Sequence, residues 1–385
     1  MPHPPPAPSL ARRVTLVGLA TICLASSAWT APPGPGSAPI LTLDSPMFQS
    51  FDMREFRNAQ DTVSIRGRPA PSLEGLSRLR CSGSSNPSIR GLALIKAKVP
   101  ATSITIVDLR QESHGFLNGL PVHWRGFRNW ANRSKGSDEA AQDEADRLAR
   151  LASARVARVV RPSKSARIED ELYTILVRDV QDEESACRAL GLGYLRLRVP
   201  DHSGPPDDQV DRFVEAAARL PRDGWLHLHC EAGRGRTATF MVMYDMMKNA
   251  PRVRAQDILS RQALLGGQPL LELPATDSWQ YEPAAARLDF LRLFHRYCRE
   301  SHHRFETPWS EWKRRSAGRE ASKPGEPSPD AGPSGPPAGP AGGARPVLAR
   351  GAGSGLRAGH GRGRNDGSPP NPDLPAGRNS QGEHR

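Results

Sequence analysis

The run His229-Cys230-Glu231-Ala232-Gly233-Arg234-Gly235-Arg236-Thr237 restricts what this chain can fold into more than any other stretch. Trp225 to His229, ahead of it, reads as a strand, and Thr237 to Lys248, behind it, carries a helical pattern. So short a loop holds the helix N-terminus at the carboxyl end of the strand. The unbonded N–H groups there, and those of Glu231, Ala232, Gly233, Arg234 and Gly235, then converge on one anion. Arg236 adds a planar fork that grips two phosphate oxygens at once. Cys230 sits in the same positive field, which favours its thiolate and makes it a nucleophile. Gly233 and Gly235 allow positive φ and a close backbone approach. An isolated cysteine before a helix is usually an inert core residue. The glycines, and the arginine six positions on, argue for the reactive reading.

Phosphate monoester hydrolysis through cysteine also needs an acid for the leaving alkoxide and help for the departing sulfur. Thr237 is placed to donate a hydrogen bond to that sulfur. Asp201 is the acid candidate. It follows a strand-like segment, Tyr194 to Val199, and begins the loop His202-Ser203-Gly204-Pro205-Pro206, whose closure would carry it over a bound substrate. A loop aspartate before a helix often serves as a cap, but Asp207 and Asp208 are available for that task. His202 is read either as a phosphate donor or as loop packing. Arg57, Arg110, Arg234 and Arg261 are the further cations that a polyanionic substrate would require.

Around this centre strands and helices alternate. Ser103 to Leu109 and Leu172 to Val177 read as strands, and Asp207 to Leu220, Gln256 to Leu265 and Glu282 to Ser301 as helices. The expected class is α/β, a central sheet flanked by helices. Residues from about 115 to 180 fit the alternation poorly, holding a charged helix, Gly136 to Ser153, and β-like runs such as Arg155 to Val160.

The loop sequence HCEAGRGRT resembles the active-site loop of the cysteine-dependent protein tyrosine phosphatase superfamily. It is most similar to the bacterial tyrosine-phosphatase-like inositol phosphatases, the cysteine phytases. ITIVDLRQESHGFLNG from Ile104, LRVPDHSGP from Leu197 and DILSRQALLGG from Asp257 match that group in the same order, so the resemblance covers roughly Phe48 to Ser301. It implies a protein tyrosine phosphatase-like core with a small partial β-barrel beside it, to which residues 115–180 contribute. It also implies metal-independent, stepwise release of phosphate from myo-inositol hexakisphosphate through a cysteinyl-phosphate. His229 would order the loop; strand alternation turns its side chain away from Cys230. Asp108 matches an acidic position at the group's active site, and Arg57 stands in a Phe-Arg context similar to a phosphate-contacting arginine. Arg234 departs from the small apolar residue of many relatives, and no lysine lies between Lys248 and Lys313, where the resemblance implies some. Two other readings of the same loop are a protein tyrosine or dual-specificity phosphatase and an inactive phosphate-binding module.

The ends differ from the middle. Residues 1–31 read as an export signal, with Arg12 and Arg13 before an apolar stretch, Val14 to Ala28, too short to span a bilayer. That implies a secreted or periplasmic protein without a stable membrane anchor. The phosphatase domain is expected over 40–315, and residues 316–385, rich in Pro, Gly, Ala and Arg, should be disordered. The net charge of +12 suits a small polyanion. The tail's arginines lack interleaved aromatics, so no specific nucleic-acid platform is expected. No cysteine pair has metal-ligand spacing, so neither metal nor cofactor is implied. A Cys81–Cys187 or Cys187–Cys298 bridge stays open, while Cys230 must remain reduced.

Overall fold

The strands lie at Ile22–Cys23 (β1), Ile40–Leu43 (β2), Arg57–Asn58 (β3), Cys81–Ser85 (β4), Ser103–Arg110 (β5) and His114–Leu117 (β6). They continue at Leu120–Arg125 (β7), Val156–Arg161 (β8), Glu171–Leu176 (β9), Val180–Gln181 (β10), Gly193–Val199 (β11) and Gly224–Cys230 (β12). The helices are Ile89–Lys98 (α1), Ser137–Ala152 (α2), Glu183–Ala189 (α3) and Asp207–Ala218 (α4), followed by Gly235–Asn249 (α5), Ala255–Leu264 (α6), Tyr281–Glu300 (α7) and Trp309–Ala321 (α8). This computed structural model describes residues 22–23, 34–44, 53–65, 69–161 and 171–321. The expected export segment, apart from Ile22 and Cys23, and the tail beyond Ala321 lie outside the described residues.

A five-stranded sheet in the order β11-β5-β12-β4-β3 carries the core; its first four strands are parallel and β3 pairs antiparallel at the edge. β12 has ladders on both sides, and all seven of its residues are buried. Its pleat sends Leu226, Leu228 and Cys230 into the main apolar cluster, while Trp225 joins a second cluster. α5 follows the loop and is buried almost all round, Phe240, Met241, Met243, Met246 and Met247 among its inward residues. A helix apolar on every face belongs at the centre of a domain. α5 packs on β12, α6 and α7 accordingly. The residues that anchor the loop are thus held from both ends.

A second sheet runs β1-β9-β8-β2-β7-β6-β10 and is open rather than a closed barrel. It draws mainly on residues 114–181, but β2 enters from before the core, pairing antiparallel with β7 and parallel with β8. Leu117, Val122, Leu148, Leu151 and Val159 bury its inner face beneath α2. Chain composition around Ser316 reads as disordered, but α8 continues through it to Ala321 and buries Ser316 to 3% exposure. Trp309 and Trp312 explain the difference. Trp309 is fully buried against Phe290, Phe294 and Tyr297, and its indole N–H donates to Asp207 at 2.7 Å. Two indoles anchor the helix well enough to order its polar last turns. Cys81, Cys187, Cys230 and Cys298 are all buried free thiols, so neither bridge that composition left open forms.

Candidate active site

The chain turns from β12 into α5 at Cys230, which is 3% exposed. The hydroxyl of Thr237, one turn into the helix, donates to Cys230 Sγ at 3.2 Å. Gly233 has φ of +73°, and a Cβ built on it would stand 2.4 Å from the backbone nitrogen of Ser85. Only glycine fits both the angle and the space. Arg57 Nη1 donates to the Gly233 carbonyl at 2.8 Å, and Asn86 N–H donates to the Glu231 carbonyl at 3.1 Å. With its carbonyls engaged from behind, the loop is free to aim its N–H groups at the pocket. Ala232 is exposed on the rim, and burial pushes the Glu231 carboxyl upward in pKa.

Arg236 is 1% exposed and already bidentate with a carboxylate: Nη1 and Nη2 donate to Glu112 Oε2 and Oε1 at 2.7 and 2.9 Å. Nη1 also donates to the Val199 carbonyl, and Nη2 lies 3.2 Å from Asp201 Oδ2. Its Nε–H is buried without a partner. That N–H is the group left over for an incoming anion. Glu112 also accepts from Arg110 Nε at 2.8 Å and from Asn129 Nδ2 at 3.1 Å. Burial would push its pKa up, but the two guanidinium groups prevail and hold the carboxyl far below the usual range. Sequence reasoning missed Glu112, although it lies inside the VDLRQESHG stretch. Breaking such a buried pair from one side costs about 3–5 kcal/mol.

Behind the loop stands a second layer of charge. His229 is fully buried with its side chain turned from Cys230, and Nε2 is 2.8 Å from Glu183 Oε1. His114 Nε2 lies 3.2 Å from Glu183 and 3.0 Å from Asp108, and Arg196 and the Tyr194 hydroxyl reach Asp108 at 2.9 Å each. Burial disfavours the His114 imidazolium, yet Asp108 outweighs it and raises the pKa to about 9. Asp108, Glu183 and His229 bring three ligating atoms within 4.8 Å of one another. The side chains of His114 and Arg196 already supply the positive charge that such a cluster asks for.

Asp201, 18% exposed, sits over the loop on the turn after β11. Asn129 Nδ2 donates to its carboxylate at 2.9 Å, and the Trp130 indole N–H donates to its backbone carbonyl at 2.8 Å. His202 has φ of +62° and Asn129 φ of +61°, so both turns that meet at Asp201 hold a non-glycine residue in the left-handed region. Such conformations persist only where the surroundings impose them. The His202 ring packs edge-on to Trp279 at 4.9 Å, and burial lowers its pKa. Trp279 also meets Trp130 at 5.6 Å and remains 38% exposed, which gives the mouth an aromatic rim.

The expected site residues divide clearly. Cys230, Arg236, Thr237, Asp201 and His202 converge, and the loop residues Glu231 to Gly235 surround them. Arg234 stays on the rim, its side chain 67% exposed and 3.5 Å from Glu55. Arg57 is buried under the loop and supports its backbone. Asp108 and Arg110 are fully buried in ion pairs, Arg110 with Asp44 and Glu112, while Arg110 Nη2 is left without an acceptor. Arg261 is elsewhere altogether, fully buried against Asp245 of α5. All three are charged residues that sequence places in apolar frames, and except for Glu112, two residues from Arg110, their buried counter-ions come from other segments. A cation that sequence reasoning missed stands closer. Arg287 of α7 is 6% exposed, and its Nη1 would meet a Cβ on Gly235 at 3.1 Å. Among the described residues it has no ion-pair partner; burial lowers its pKa, while Asp201 and Cys230 pull it back up. The signal was the gap between Lys248 and Lys313, which holds no lysine but does hold this arginine.

Known proteins resemble the chain on the same ground. Residues 107–248 match the family model for PTP-like phytase, inositol hexakisphosphate. A PTP-like phytase from Bdellovibrio bacteriovorus superposes with a TM-score of 0.58 at 32% identity, covering 74% of this chain and 97% of that one. The PTP-like myo-inositol phosphatase of Mitsuokella multacida, solved with myo-inositol-(1,3,4,5)-tetrakisphosphate, gives a TM-score of 0.69 at 32% identity over 78% of this chain and 50% of that one. The effector protein hopD2 of Pseudomonas syringae pv. tomato is 31% identical over 251 residues, 63% of this chain and 53% of its own. The chain therefore spans about half the length of hopD2 and of the Mitsuokella protein.

Proposed function

The chain belongs to the PTP-like phytases, a family of cysteine-dependent phosphatases, and on that premise we propose that it hydrolyses inositol polyphosphates, taking phosphates stepwise from the hexakisphosphate. The observation that carries this reading is Arg236. Its fork is fixed by Glu112 while Nε stays unpartnered and buried. An orphaned buried donor in a positive loop calls for an anion.

In the reaction that follows, Cys230 thiolate attacks phosphorus and the ester P–O bond breaks. Asp201 gives its proton to the departing alkoxide. A water then attacks the cysteinyl-phosphate, Asp201 takes the water's proton, and the S–P bond breaks to return the thiolate. Thr237 stabilises the sulfur as it leaves. Arriving phosphate competes with Asp201 for Arg236, which frees the acid carboxyl at the moment it is needed. Arg287 supplies an additional cation for a substrate whose six phosphates carry about −9 to −12.

The aromatic rim of Trp130 and Trp279 favours a second reading, a phosphotyrosine substrate stacked at the mouth. Phosphate release from the hexakisphosphate and from a phosphotyrosine peptide, compared at equal enzyme, separates the two. An advantage for the peptide of more than about tenfold in kcat/KM, near 1.4 kcal/mol of transition-state preference, would overturn the inositol phosphate reading. Export of the protein is our inference from the first 31 residues alone.

A further inference from the structure

At the far end of α5 lies a groove of about 560 Å³ that the catalytic reading does not use. Its walls carry Arg78, Arg80, Arg222, Lys248 and Arg252, with Tyr244 between them. The loop at Cys230 and this groove sit at opposite ends of a 15-residue helix, about 22 Å apart.

The cations there are poorly neutralised. Arg252 pairs with Glu74 at 2.7 Å, on the half-exposed surface. Among the described residues, Arg78, Arg80, Arg222 and Lys248 form no ion pair. Arg80 Nε–H is buried without any acceptor, although Asp223 lies close enough to feel its charge. The Lys248 ammonium stands 5.3 Å over the Tyr244 ring rather than beside a carboxylate. Like charges gathered along one concavity focus a positive field there and raise the local concentration of polyanions.

The groove is also stiff. Arg261 Nη1 donates to the Ser72 and Glu74 carbonyls at 2.9 Å each, while Nε donates to Asp245 at 2.8 Å. Asp245 accepts in turn from Asn249 Nδ2 at 2.9 Å. Gly75, φ +77°, lies against Asn249 so closely that a Cβ would fall 2.0 Å from its Oδ1. The turn at 72–75 is thereby locked to the end of α5, and the arginine expected at the substrate instead braces, from behind, the segments that line this second concavity.

We propose that the groove is a second anion site, binding a molecule that presents several phosphates on one face: an inositol polyphosphate, free or as a lipid headgroup. With Arg252 paired to Glu74, one phosphate, at about −1.5 to −2, leaves about half of the charge on the other four cations unbalanced. The Tyr244 ring lies under Lys248 and offers no free face to a nucleic-acid base. The proposal does not depend on what Cys230 hydrolyses.

The test uses the full chain carrying Cys230→Ser, so that the probe survives, with and without Arg80→Gln plus Lys248→Gln. Calorimetric titration with myo-inositol hexakisphosphate should find two sites in the parent. One should vanish or weaken by about tenfold or more in the groove variant, as loss of charge-assisted contacts requires. Sedimentation with vesicles doped with a phosphatidylinositol bisphosphate, against phosphatidylserine vesicles of equal charge, identifies the lipid source if only that arm responds. With Cys230 intact, the groove variant should hydrolyse p-nitrophenyl phosphate at the parent's rate. A single hexakisphosphate site in the parent without vesicle binding, or equal behaviour of parent and variant in both arms, overturns the proposal.

Discussion

Replacing Thr237 by valine removes one hydroxyl from a fully buried site and leaves the shape almost unchanged. The Thr237 methyl already packs where a Cβ on Gly83 would lie, 2.7 Å away, and valine keeps that branch. What goes is the hydrogen bond to Cys230 Sγ at 3.2 Å, together with a long contact to the Ser84 carbonyl at 3.5 Å. A hydrogen bond to a charged acceptor contributes about 1.5–3 kcal/mol, so its loss slows the affected step by about tenfold to 150-fold. Sulfur gains negative charge when it leaves phosphorus and loses it when it attacks. The penalty therefore belongs to hydrolysis of the cysteinyl-phosphate, and formation of that intermediate should be spared. Stopped-flow with p-nitrophenyl phosphate tests this directly. The variant should release one equivalent of p-nitrophenol in a burst and then turn over slowly. A uniform fall in both phases, or a steady-state loss below about twofold, would refute the role assigned to the hydroxyl.

Arg287→Gln should raise KM for the hexakisphosphate about tenfold more than for p-nitrophenyl phosphate, without lowering the melting temperature, since no counter-ion is stranded; equal effects on the two substrates would remove Arg287 from the binding surface. Arg261→Ala should cost about 3–5 kcal/mol in urea unfolding by orphaning Asp245, while kcat/KM for p-nitrophenyl phosphate in the folded protein stays at the parent's value. His114 stabilises the fold as an imidazolium, fully below its ordinary 6.5 and progressively less as pH rises through about 9. Urea melts across that window should show the parent losing its advantage over His114→Gln, and a constant gap between them would contradict the pairing with Asp108.

The catalytic constellation was legible where it is local. A strand, a glycine-rich turn, an arginine and a helix lie within one short stretch, and the strands at Ser103–Arg110 and Gly193–Val199 differ from the sequence reading by a residue at most at either end. Charged residues whose partners are distant were not legible. Asp108 and Arg110 looked like ligands because the sequence does not show which acids and bases neutralise them: Glu112, two residues on from Arg110, pairs with it, but Arg196 and Asp44 complete the network only once the chain has folded. Arg261 misled for the same reason, its acid lying one helix earlier. Glu112 and Arg287 were missed because their meaning depends on which neighbours they do and do not have. The order in α8 depends on tertiary burial of Trp309, which local composition does not reveal.

The clasp between Glu112 and Arg236 has a further consequence. A free arginine side chain carries about 2 kcal/mol of rotamer entropy, equivalent to about thirtyfold in affinity if a ligand had to freeze it. Here the freezing happens when the chain folds, because two of the guanidinium's N–H groups are bound to a carboxylate that never leaves. An arriving phosphate meets a donor that no longer has a choice of positions, and the stability of the domain, rather than the binding event, bears the cost of holding it there.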